Sequence, residues 1–170
     1  MRRSRALLVA PLSVLTLAAC GGSGPLTQSQ FVSEANNICK SSSQASVAVP
    51  QPSVSSSLIS PAQGDLPAIA AFLGKQVGIL QNTVSQLKQL GTPPSMRSAW
   101  SQALAAIQKS VDDATSAQSA AHAGDIAGYT TALGRVVEDG PAIDQSVTSF
   151  GATACSSSAA GGSPSPSPAH

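Results

Sequence analysis

The chain has 170 residues, of which 42% are hydrophobic, only 3% aromatic and 10% charged, with a formal net charge of +1. Beyond the first five residues it has no run of Lys or Arg to neutralise phosphates, and few rings to stack on bases, so the composition excludes a nucleic-acid partner. A core this poor in rings has to be assembled from aliphatic side chains and alanine.

The N-terminus carries Arg2, Arg3 and Arg5, followed by an apolar stretch from Ala6 to Ala19 that Pro11 interrupts. At about 14 residues the stretch is too short for a membrane span, which needs roughly 20, and it reads as an export signal. It ends in Leu17, Ala18, Ala19 and Cys20. This L-A-A-C run resembles the lipobox of bacterial prolipoproteins. The resemblance implies cleavage between Ala19 and Cys20 and attachment of diacylglycerol, with palmitate-type chains, to the Cys20 thiol. The mature protein would then be lipid-anchored on the extracytoplasmic face of the cell membrane. Loss of residues 1–19 leaves six Lys plus Arg against eight Asp plus Glu, a formal charge of −2. No basic patch remains to hold the protein on lipid headgroups, so the lipid acts alone.

Residues 20–26 read as a lipidated flexible tether and 156–170, rich in Ser, Pro and Gly, as a disordered tail, which leaves a domain over 27–155. Once Cys20 is lipidated, Cys39 and Cys155 remain as an even pair in an oxidising compartment, and a disulfide between them is expected, the other reading being two free buried thiols.

The domain reads as four helices. Thr27 and Gln30 form a capping box, and Phe31, Ala35, Ile38 and Ser42 share one face of a helix over about 28–46. A serine- and proline-rich segment over 47–64 follows, a length that points to a recognition surface or to a mobile connector. Asp65 is placed as the N-cap of the second helix, whose seam is Leu66, Ile69, Leu73, Val77, Leu80, Val84 and Leu87, with Gly91 as its left-handed end. Pro93 and Pro94 open the third helix, whose seam includes Trp100, Leu104, Ile107, Val111, Ala114, Gln118 and Ala121. Gly124 turns the chain, Asp125 caps the fourth helix, and a stripe through Tyr129, Leu133, Val136, Gly140, Ile143, Val147 and Phe150 predicts one helix, kinked where it passes Pro141.

Short connections between long helices predict an all-α, antiparallel, up-down-up-down four-helix bundle. Cys155 can reach Cys39 only if the fourth helix stops short or the chain turns back at Gly151. The set Phe31, Val32, Ala35, Asn36, Ile38 and Cys39, the Thr92-Pro93-Pro94 break, and Phe150, Gly151 and Cys155 is similar to small helical lipoproteins of actinobacteria. That resemblance implies a fold and a compartment, and no activity.

Residues for chemistry are sparse. His122 reads as an exposed turn residue, His170 is terminal, and three or four convergent ligands for a metal are missing, so no metal or cofactor is expected. No nucleophile elbow or phosphate loop occurs, and the adjacent pairs Asp112–Asp113 and Glu138–Asp139 diverge by about 100° on a helix. Gln118 and Tyr129, polar groups on apolar seams, are the candidates for lining a ligand pocket or for fixing register through hydrogen bonds. The leading expectation is therefore a non-enzymatic binding or adaptor module that docks another envelope protein. The alternative is a carrier holding a small apolar or envelope-derived ligand, which requires a cavity of at least a few hundred Å³.

Overall fold

The computed structural model describes residues 26–157. The expected signal peptide over 1–19, the expected cleavage between Ala19 and Cys20, the expected lipidation of Cys20 and the part of the expected tether up to residue 25 lie outside the described residues, as does the expected tail from 158 onward. Among the described residues there are four α-helices, α1 Gln28–Val47, α2 Leu66–Gln89, α3 Arg97–His122 and α4 Ile126–Thr148, with three short 3-10 turns and no strand.

Each helix starts and stops for local reasons. At α1 the capping box forms: the Thr27 hydroxyl accepts from the Gln30 N–H, and the Gln30 side chain accepts from the Thr27 N–H at 3.0 Å. Asp125 caps α4 by accepting from the Gly128 N–H at 2.9 Å. Helices α3 and α4 both end in a glycine with positive φ, Gly124 at 75° and Gly151 at 91°. In each case the following N–H bonds back five residues, Asp125 to the Ala120 carbonyl and Ala152 to the Val147 carbonyl, which satisfies end carbonyls and reverses the chain. Helix α4 runs unbroken through Gly140 and Pro141, as its stripe predicts.

Both ends of α2 depart in part from expectation. Asp65 occupies the N-cap position, as expected, but its side chain makes no capping bond, because its carboxylate is taken by the preceding loop. Gly91 is not left-handed; α2 ends instead with an extended Leu90, and the Gly91 carbonyl accepts from the Leu26 N–H at 3.0 Å.

The bundle is antiparallel throughout. Thr83 on α2 donates to Ser42 on α1 at 2.7 Å, Lys88 on α2 to Gln108 on α3 at 2.8 Å, and Arg135 on α4 to Asp113 on α3 at 2.6 Å. Helix α3 packs along both α2 and α4, while α1 packs on α2 and on the C-terminal turn Thr153–Cys155 far more than on α4. The chain returning through Gly151 therefore sits between α1 and α4.

That return makes the disulfide. Cys39 and Cys155 are bonded with their Cα atoms 5.0 Å apart. Asn36 clamps the same turn, donating to the Gly151 carbonyl at 3.1 Å and accepting from the Ala154 N–H at 2.8 Å. The folded part also passes the expected boundary at 155, since Ser156 is buried and Asp144 accepts from the Ser157 N–H and hydroxyl.

The interior consists of two cores. At the disulfide end Phe31, Ala35, Leu87, Trp100, Ala103 and Val147 are packed, with Trp100 edge-on to Phe31 (4.9 Å between centroids) and to Phe150 (5.6 Å). At the other end Leu66, Ile69, Ala70, Ala117, Ala121 and Tyr129 form the second core. Helix α1 does not reach it, and Val54 and Leu58 from the loop cover it instead.

Candidate functional site

The loop after α1 is held by one carboxylate. Asp65 accepts from the Ser55 N–H at 2.9 Å and the Ser56 hydroxyl at 2.6 Å, and also from the Ser55 hydroxyl, the Ser56 N–H and the Ala62 N–H. Farther along, the buried Tyr129 hydroxyl donates to the Leu58 carbonyl at 2.6 Å, and Gln63 donates to the Gly124 carbonyl at 2.8 Å. Residues 54–65 are thus a fixed wall of the second core. They leave Ile59, 75% exposed, on the outer surface.

Hydrogen bonds to the ionised form, first from the Ser55 N–H and then from the Ser56 hydroxyl, lower the Asp65 pKa to about 2 from an ordinary 3.8. Because the folded pKa is depressed, the lock is complete above about pH 4 and is lost as pH falls towards 2. We predict that pepsin leaves the loop intact at pH 4 and cuts near Leu58 below pH 2, with helical circular dichroism retained. Equal cleavage at both pH values would show that Asp65 does not hold the loop.

Of the two seam candidates, Tyr129 fixes the loop through the Leu58 carbonyl, and burial raises its pKa. Gln118 is half-buried with its amide directly over Gly74, where a Cβ would come within 2.9 Å of Nε2. The two do not bond each other, and neither is among the residues that line the two cavities described below.

The cavity lies between the two cores. Helix α1 stops at Val47, level with Gln76, whose side chain donates to the Ser46 carbonyl at 3.0 Å. With α1 ended and held away from α4, a lateral cleft of about 410 Å³ opens over the middle of the bundle. Its floor is Leu80, Ile107, Val111, Val136 and Ile143, the seam side chains that periodicity assigns to the core. Leu80, Ile107 and Val136 are only half-buried, because no fourth helix lies over them. Gly140 contributes no side chain to the floor, and Gln51, Ser110 and the Cys155–Ser157 segment form the rim. A larger hollow of about 670 Å³ over Gln28, Ser29, Val32 and Ser33 is walled by the first turns of α1 alone, and is an open surface concavity.

The ionisable groups lie elsewhere. Lys109 on α3 donates to Asp139 on α4 at 2.6 Å and to Asp113 at 3.1 Å, and Arg135 completes the cluster. The acidic pairs that diverge along each helix thus meet across two helices, one residue from each, around two cations. The Arg135 hydrogen bond, then that of Lys109, lowers the Asp113 pKa, and the two aspartates, Asp139 first, raise that of Lys109. The two cations are exposed to solvent and the two aspartates are half-buried, so water screens each pair from the cation side and its contribution to stability is small. His122 is exposed at the end of α3, and among the described residues no group of three His, Cys, Asp or Glu stands close enough to hold a metal ion.

No family model, curated protein or solved structure matches this chain.

Proposed function

We propose that the chain is a non-enzymatic, lipid-anchored protein of the extracytoplasmic face whose helical domain holds a small ligand in the lateral cleft. The cleft carries this reading: about 410 Å³ is within the range of small-molecule sites, and an apolar floor with a few polar rim groups is their usual composition. The L-A-A-C run at 17–20 supports the anchor and the compartment.

The test uses the chain from residue 20 to 170 with Cys20→Ser, so that no attached lipid competes, and titrates it with the neutral dye Nile red. We expect saturable, blue-shifted fluorescence from one site, weakened at least tenfold by Leu80→Trp and by Gly140→Leu. Leu80 belongs to neither core, and a Cβ at 140 would meet only Ser157, its hydroxyl oxygen at 3.1 Å and its Cβ at 3.6 Å. Unchanged dye binding in both folded variants would remove the cleft as the site.

The exposed Ile59 on a fixed loop favours a second reading, an adaptor that docks another envelope protein through that loop. Loss of a crosslinked partner on Ile59→Ser, with dye binding intact, would select it.

A further inference from the structure

Taking the cleft as the binding site, we infer that its ligand is an uncharged amphiphile with a single hydrocarbon chain, seated chain-down on the floor with its polar end at the Ser110 and Gln51 rim. Charge, polarity and size converge on this class.

No lining residue is Asp, Glu, Lys, Arg or His. A charge carried into the cleft would lose water without gaining a counter-ion. The carboxylate at its edge, Asp144, is already engaged by the Ser157 N–H and hydroxyl. The rim does offer neutral polar groups. Gln76 is committed to the Ser46 carbonyl, but the Ser110 hydroxyl and the Gln51 amide have no hydrogen-bond partner among the described residues. Hydroxyl, ester or amide oxygens of a neutral head can bond there, and the floor of Leu80, Ile107, Val111, Val136 and Ile143 suits a hydrocarbon. At about 30 Å³ for each water-sized group, the cleft holds roughly a dozen such groups. One medium-length chain fits, and the two long chains of a membrane phospholipid do not.

The test is displacement of Nile red from the Cys20→Ser chain at pH 8 by four probes below their micellar concentrations. These are monolauroylglycerol, monodecanoylglycerol, laurate and dodecyltrimethylammonium. We expect monolauroylglycerol to displace the dye at least tenfold better than either ion, and monodecanoylglycerol to be weaker by about tenfold for its two missing methylenes. Equal displacement by laurate or the ammonium overturns the charge assignment and leaves the cleft as a site. Displacement that survives both Leu80→Trp and Gly140→Leu, or absence of dye binding in the parent, overturns the cleft reading itself. A chain lacking residues 158–170 serves as control: dye affinity raised tenfold or more by the deletion would identify the tail as the occupant and overturn the proposal.

Discussion

Replacing Cys39 and Cys155 by Ala, or reducing their bond, is expected to lower folding stability by about 4–5 kcal/mol at most, the largest stability effect of any change proposed for this domain. The bond closes a loop with a sequence separation of 116, and the entropy of closing a loop of that size in the unfolded chain is the source of the figure. For a domain of this size that is a fall in melting temperature on the order of 15 °C. Asn36 still clamps the C-terminal turn when the sulfurs part, so the reduced protein should remain folded at room temperature. Urea unfolding of the oxidised chain against the reduced and alkylated one measures the difference. A loss under 1 kcal/mol would mean that the unfolded chain is already compact enough to make the closure almost free.

The second large effect is on location. Cys20→Ser should abolish lipid-dependent membrane partitioning, leaving uncut precursor or secreted chain, because among the described residues nothing else would hold the cut chain at a membrane. Without residues 1–19 its formal charge is −2, and among the described residues no helix is long and apolar enough to cross a membrane. Detergent-phase partitioning with intact-mass measurement of the N-terminus is the check. Unchanged partitioning would mean that another attachment exists and that the L-A-A-C reading is insufficient.

The helices were legible because their signals are local. Seam positions three and four residues apart identify α2, α3 and α4, the Thr27–Gln30 and Asp125 caps mark two starts, and Gly124 and Gly151 supply two reversals. The loop was not legible for an equally physical reason. Asp65 stands before a helix and next to Leu66-Pro67, which is the pattern of a cap, yet its oxygens can serve either helix N–H groups or any donors that distant chain brings near. Ser55 and Ser56, ten and nine residues earlier, win that competition, and no short-range pattern announces it. Gly91 misleads in the same way, since glycine permits a left-handed end without requiring one.

The cleft was hidden more deeply. Leu80, Ile107 and Val136 have the spacing of core residues whether or not anything covers them. Their exposure follows from the length of α1, 20 residues beside 24 in α2, and from the returning chain that keeps α1 off α4. Periodicity records which face of a helix is apolar and says nothing of how far its neighbour extends.

The point where the chain enters the fold also gives the molecule a near end and a far end. Leu26 is tied to Gly91, beside the turn from α2 to α3, and α1 then carries the chain about 30 Å along the bundle axis before it stops. In a chain held at a bilayer through residue 20, the Trp100 cluster would lie at the end of the bundle nearest the attachment point. The serine-locked wall and Ile59 would stand at the opposite tip, about the thickness of a bilayer's hydrocarbon layer away, with the cleft opening sideways below them. The opening of the cleft therefore faces neither end of the molecule, and a guest would enter it from the side, between the attachment point and the tip.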